Sequence, residues 1–249
     1  MSLVLFGALT FVAAAFRGLT GFGYALIAAL GIALLPSPAS AIPFILVCDL
    51  MLTVFLLVDR DHGRVDGRLA RLLLGAGFVG AVGGSLLAAN LDDETARRLV
   101  AVAILVAALV ALVREPPAWL RHDVFGAALG FLVGVLLAAF AVGGPLVAAW
   151  LLTRSRDRAV IKGTLAVYFG AIDGLSFLGR ATVGALGPDL PHLLLLYALP
   201  TAAGFLVGRS LAGRLSFPVW HRISGGGLVA IAAVGFVQTV WAFLPEFSK

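Results

Sequence analysis

Charged residues are scarce in this sequence: they make up 12% of its 249 positions, against roughly a quarter in an ordinary soluble domain. Together with 61% hydrophobic residues and a mean hydropathy of +1.07, that scarcity excludes a soluble globular chain. Cysteine is nearly absent as well. Cys48 is the only one, which leaves no intrachain disulfide and no cysteine-based metal site. The histidines at 62, 122, 192 and 221 stand singly at segment ends and read as interfacial residues, so no metal site and no cofactor are expected. A Walker A motif is also missing, so the chain has no nucleotide site of that type. No basic residue precedes Arg17 and the chain stays apolar after Ala13–Ala15, so a signal peptide followed by a soluble domain does not fit. The apolar runs are continuous and do not alternate, which excludes a β-barrel.

Apolar segments are what the chain has in abundance, and they recur from end to end. Segments long enough to cross a bilayer make this an all-α polytopic membrane protein. Its net charge of +5 could suggest nucleic-acid binding, but the basic residues lie in short loops between apolar spans, where they anchor a cytoplasmic face. The expected partners are therefore the lipid bilayer and a small anionic substrate, without nucleic acid, and a homodimer is open. A multi-pass protein of a bacterial inner membrane is the expected location.

Two of the apolar stretches break at glycines: residues 13–26, AAAFRGLTGFGYAL, and residues 137–147, LAAFAVGGPLV. In lipid, such a break frees backbone groups that protein, water or a ligand must satisfy. Interrupted hydrophobic segments at matching places in two halves point to a transport site.

Charge sets the topology. Basic residues concentrate at Arg60–Arg71, at Arg114 and Arg121, at Arg154–Lys162, and at Arg209, Arg214 and Arg222. If these loops share one side, an even number of crossings must separate them. Segments 2–35 and 123–153 then return to their own sides, as re-entrant hairpins bent at Gly18–Gly23 and Gly143-Gly144-Pro145. The first opens outward and the second inward, and three ordinary helices follow each. That is a repeat of inverted topology; two fully spanning broken helices give a parallel repeat instead. At an offset of 124, Ala14-Ala15-Phe16 meets Ala138-Ala139-Phe140, Asp49 meets Asp173, and Gly80-x-x-x-Gly84 meets Gly204-x-x-x-Gly208. The halves are about 1–121 and 122–249, joined in one transporter domain over 1–249.

In this order, Gly18-x-x-Gly21-x-Gly23, Val142-Gly143-Gly144-Pro145-Leu146 and the two G-x-x-x-G-[SR]-x-L elements at 80–87 and 204–211 resemble the TauE/SafE family of sulfite exporters over essentially the whole chain. The resemblance implies a secondary transporter that exports a small sulfur-containing anion, sulfite or an organosulfonate such as sulfoacetate, across the bacterial inner membrane. Tyr24 stands where the family's first motif has a further glycine, Ala29 where a proline often follows, and Arg17 precedes the break.

Arg17 is a cation inside an apolar span, which costs roughly 2.5–3.5 kcal/mol on insertion scales and so calls for a polar cavity or a partner. Beside it, Gly18, Gly21 and Gly23 allow the backbone to open, and Thr20 and Tyr24 add hydroxyls. A helix N-terminus and a guanidinium fork both suit an oxyanion. The alternative is that Arg17 snorkels or pairs with an internal Asp while the glycines only permit close packing. Gly143, Gly144 and Pro145 bring a second tip to the same depth, with Pro145 well placed at the start of a new helix; a plain kink is the alternative. Asp49 and Asp173 sit in mid-span at equivalent positions, either as proton-coupling carboxyls or as structural ones paired with Arg17 or backbone N–H groups. The glycine pairs at 80–84 and 204–208 serve helix packing, Lys162 and Arg209 read as interfacial anchors, and Trp119, Trp150, Trp220 and Trp241 as aromatic belts. A passive anion channel keeps the same residues without coupling. An intramembrane aspartyl protease, using Asp49 and Asp173 as a dyad, is the enzyme alternative; the repeat accounts for the pair better.

Overall fold

The computed structural model describes residues 2–31, 38–58, 64–89, 122–141 and 144–243. Among these there are nine helices and no strand: α1 Ser2–Thr20, α2 Tyr24–Ala29, α3 Pro38–Val58, α4 Gly67–Ala89, α5 Asp123–Phe140, α6 Gly144–Arg154, α7 Arg158–Thr182, α8 Leu190–Arg214 and α9 Phe217–Phe243. Six of them (α1, α3, α4, α5, α7 and α8) are long and apolar enough to cross a membrane. The chain is thus an all-helical, multi-pass membrane protein. Arg114, Trp119 and Arg121 lie outside the described residues.

Small residues set the helix pairing. Gly204 and Gly208 of α8 lie against the backbone carbonyls of Phe11 and Ala15 of α1, and Gly80 and Gly84 of α4 lie against those of Phe131 and Val135 of α5. A Cβ on Gly208 would stand 1.8 Å from the Ala15 oxygen and one on Gly80 2.0 Å from that of Phe131, so the packing expected of these glycines is the one observed. In both pairs the residue numbers rise together, so each pair runs parallel.

The remaining contacts give the other directions. Phe6 of α1 packs on Phe44 of α3 at 5.8 Å, and farther along Arg17 meets Asp49 and Thr53, so α1 and α3 also run parallel. Tyr168 of α7 donates to the Gly130 carbonyl of α5 and Arg180 to that of Ala139, so α5 and α7 run parallel. Between the two sets the sense reverses. Asp49 of α3 meets Asp173 of α7, whereas Thr53, one turn on, lies against Gly170. Helices α1, α3 and α8 therefore point one way, and α4, α5 and α7 the other.

Both short helices double back. Gly31, just past α2, packs on Phe6 and Leu9 near the start of α1. Trp150 of α6 covers Gly126 of α5, and Arg154 at the end of α6 donates to Asp123 at the start of α5 at 2.8 Å. Asp123 also accepts from Arg68 at 2.6 Å, and Arg64 pairs with Asp157. Such exposed pairs add little stability, but they gather the starts of α4, α5 and α7 on one basic face. Trp150 and Trp220 do not form part of an aromatic belt. Both are buried, and the Trp220 indole donates to the Leu19 carbonyl at 2.8 Å. A buried indole N–H takes a backbone carbonyl when one is left over at a helix end.

Candidate functional site

Helix α1 ends where glycine permits a left-handed backbone. Gly21 and Gly23 take φ of 93° and 92°, a region that costs a side-chain-bearing residue roughly 1–2 kcal/mol. The Gly21 N–H still reaches the Arg17 carbonyl at 2.7 Å, and Thr20 ties the bend by donating to the Phe16 carbonyl (2.8 Å) and accepting from the Phe22 N–H (3.3 Å). Helix α5 ends at Ala141, whose φ of 54° makes it the one non-glycine residue with positive φ among those described. Helix α6 starts at Gly144, where a Cβ would come within 3.9 Å of the Gly23 nitrogen. The starts of α2 and α6 thus face each other.

Between them lies a cavity lined by Arg17, Gly23, Asp49, Leu137, Gly144 and Phe169, among others. It offers about 10 Å³ to the centre of a water molecule, room for a single water. Arg17 is the dominant group, and it is only 1% exposed. One of its terminal nitrogens donates to Thr53 Oγ1 at 2.6 Å, its Nε lies 3.3 Å from Asp49 Oδ1, and its guanidinium stands 5.0 Å from the centre of the Phe169 ring. The ion pair is close but poorly aligned, since neither Nε nor Oδ1 has a hydrogen-bond partner among the described residues. Of the two alternatives for Arg17, pairing with an internal carboxylate is observed, and so is a place on a cavity.

Asp173 lies behind Asp49, fully buried, and neither of its oxygens has a donor among the described residues. The two carboxyls touch. As ionised acceptors they offer each other nothing; with one proton between them they form a hydrogen bond.

The remaining expected residues divide. Gly18 packs under α8, where a Cβ would meet the Phe205 oxygen at 2.3 Å. Its carbonyl accepts from Lys162 Nζ at 2.9 Å. Gly21 lies on the Lys162 stem, and Thr20 serves the bend. Tyr24 turns its phenol away from the cavity, toward Cys48 and Thr201. Gly143 lies outside the described residues, and Pro145 falls in the first turn of α6, a position where proline's missing N–H leaves no bond unmade. Lys162 is no interfacial anchor, being 2% exposed with its ammonium on the bend. Thr53, Phe169 and Leu137 carry no sequence signal, because each is an ordinary residue of an apolar span.

The family profile described as Sulfite exporter TauE/SafE matches residues 6–236. Among curated proteins, the chain is similar to the probable inner membrane transporter protein TsaS of Comamonas testosteroni, 33% identical over 131 residues, which cover 51% of this chain and 52% of that relative. The chain thus aligns with about half the length of that relative. No solved structure matches it. With a family match across nearly all of its helices, the chain belongs to the TauE/SafE family of membrane transporters.

Proposed function

We propose that this protein is a secondary transporter that exports a small sulfur-containing anion, sulfite or an organosulfonate, across a bacterial inner membrane, and that it binds the anion at Arg17 between the two glycine bends. The observation that carries this is a buried guanidinium on a small cavity where the starts of two doubled-back helices meet. A cation in that place costs several kcal/mol unless it serves a ligand or a partner. Here it has a partner, Asp49, in a geometry loose enough to be exchanged. The cavity is too small for sulfite, so binding requires the bends to part, as alternating exposure of a midplane site demands.

The directions of the helices favour an inverted repeat with two re-entrant hairpins. Equivalent helices α3 and α7 lie antiparallel about Asp49 and Asp173, and α1 and α5 point opposite ways, each parallel to the helix that follows its hairpin. Glycines 124 positions apart, Gly80 and Gly204, contact residues 120 apart, Phe131 and Phe11. The first helices and bends therefore correspond at 120, not 124: Leu137, not Ala141, is the counterpart of Arg17. The two then line one cavity from opposite halves.

Arg17 and two carboxylates sum to one negative charge, and a single proton brings the trio to neutrality. When a substrate oxyanion replaces Asp49 on Arg17, the released carboxylate faces Asp173 in apolar surroundings and takes up a proton. Anion and proton move together, and export follows the outward gradient of an anion produced inside. The contact between Asp49 and Asp173 also has the form of a protease dyad. Arg17 paired with one member favours a structural or coupling role for the two carboxyls over a catalytic one.

The test is sulfite flux into proteoliposomes under an imposed pH gradient. Saturable flux that reverses with the gradient is expected. Saturable flux indifferent to pH removes the coupling, flux without saturation makes the protein a channel, and no flux of sulfite or sulfoacetate removes the transport reading.

A further inference from the structure

On the basic face, between the α6–α7 turn and the end of α8, a vestibule of about 980 Å³ opens beside the bend of the first hairpin. Four cations line it, Arg154, Arg156, Arg158 and Lys162, against one carboxylate, Asp157. That carboxylate is already engaged by Arg64 and by the Ala159 N–H. Arg158 is fixed to the wall, donating to the carbonyls of Ala212 (2.7 Å) and Leu215 (3.3 Å) at the end of α8. The field inside is therefore strongly positive and concentrates anions.

Lys162 is the deepest of the four. It is 2% exposed, yet it contributes to the vestibule lining, and its ammonium donates to the carbonyl of Gly18, the residue next to Arg17. It therefore stands between the vestibule and the central cavity. A buried ammonium that donates to a neutral carbonyl gains more from an anionic oxygen when one arrives, because at low dielectric the attraction between two charges exceeds that between a charge and a carbonyl dipole.

We propose that the vestibule floor is an oxyanion subsite centred on Lys162, which a sulfite or sulfonate group occupies before it reaches Arg17. Occupancy draws the ammonium from the Gly18 carbonyl. That loosens the bend at Gly21–Gly23 and opens the way to the cavity. The proposal rests on the transport reading for what the subsite serves.

The test is sulfite flux in oriented proteoliposomes, with the half-saturating concentration measured separately at the basic face and at the opposite face. Lys162→Gln is expected to raise it about tenfold at the basic face and to leave the opposite face near wild type. Arg156→Gln, on an exposed side chain, is expected to raise it less, and only at low salt. An equal rise at both faces, or none, overturns the subsite. A Lys162→Gln effect confined to vesicles containing phosphatidylglycerol assigns the site to a lipid headgroup and also overturns it. A second readout needs no flux: methanesulfonate should slow modification of Ala159→Cys by a polar uncharged maleimide, and Lys162→Gln should abolish that protection. Protection without wild-type flux sinks the transport reading and keeps the subsite; wild-type flux without protection does the reverse.

Discussion

Arg17 Nε lies 3.3 Å from Asp49 Oδ1, and both side chains are almost wholly buried in helices α1 and α3. Removing one partner strands the other charge in apolar surroundings, which in buried pairs costs about 3–5 kcal/mol, whereas replacing both with apolar residues is often neutral. Arg17→Met and Asp49→Leu should each lower the unfolding midpoint in detergent, and the double variant should recover most of the loss. A double variant no more stable than the worse single one contradicts the pairing.

The glycine contacts between helices predict a sharp contrast. Gly208→Ala drives a methyl into the Ala15 carbonyl and Gly84→Ala into that of Val135, whereas a Cβ at Gly83 meets nothing within 4 Å. Overpacking of a rigid backbone contact costs about 1–3 kcal/mol or more. The first two variants should lose the sharp size-exclusion peak of the folded protein and Gly83→Ala should keep it. Equal behaviour of all three contradicts the parallel pairing of α1 with α8 and of α4 with α5.

The two bends predict opposite signs. Gly21→Ala puts a side chain at φ of 93° and into the Lys162 stem, so stability should fall. At the second bend an alanine already occupies a φ of 54°. Ala141→Gly relieves strain at some entropic cost and should raise stability by at most about 1 kcal/mol. Thermal unfolding of the two variants side by side checks both signs.

Asp157 caps α7 by accepting from the Ala159 N–H at 2.9 Å. Burial works upward on its carboxyl, but the amides of Ala159 and Val160 and the Arg64 guanidinium outweigh it, so it titrates below the ordinary carboxylate value. A lowered folded value means that its stabilisation is present above the unfolded value, about 3.9, and is lost as pH falls through the folded one. Asp157→Ala should cost about 1 kcal/mol at neutral pH, and the difference from wild type should shrink below about pH 4. A difference independent of pH contradicts the cap.

Much of this architecture is legible in the sequence because lipid leaves few choices. Two glycine-broken spans stand out in the sequence, and in the structure a helix ends at each break, after Thr20 and after Phe140. Asp49 and Asp173 stand out because carboxyls in mid-span are costly. What stays hidden is what a helix axis decides. Lys162 follows a basic loop by one helical turn and reads as an anchor; only the packing of α7 on the first bend buries it. Thr20 reads as a ligand hydroxyl, and its bonds to Phe16 and Phe22 across the bend carry no sequence signal. The letters at an offset of 124 set Arg17 against Ala141, whereas in the structure it is Leu137 that lines the cavity with Arg17.

The most direct test of the account is calorimetric titration of sulfite into the purified protein, comparing wild type with Arg17→Gln and Gly83→Ala, each first shown to be folded. Binding at Arg17 predicts that Arg17→Gln loses at least about tenfold in affinity, because a charge-assisted contact is gone, while Gly83→Ala, whose added methyl meets nothing within 4 Å, stays near wild type. Wild-type affinity in folded Arg17→Gln contradicts an anion site between the two bends.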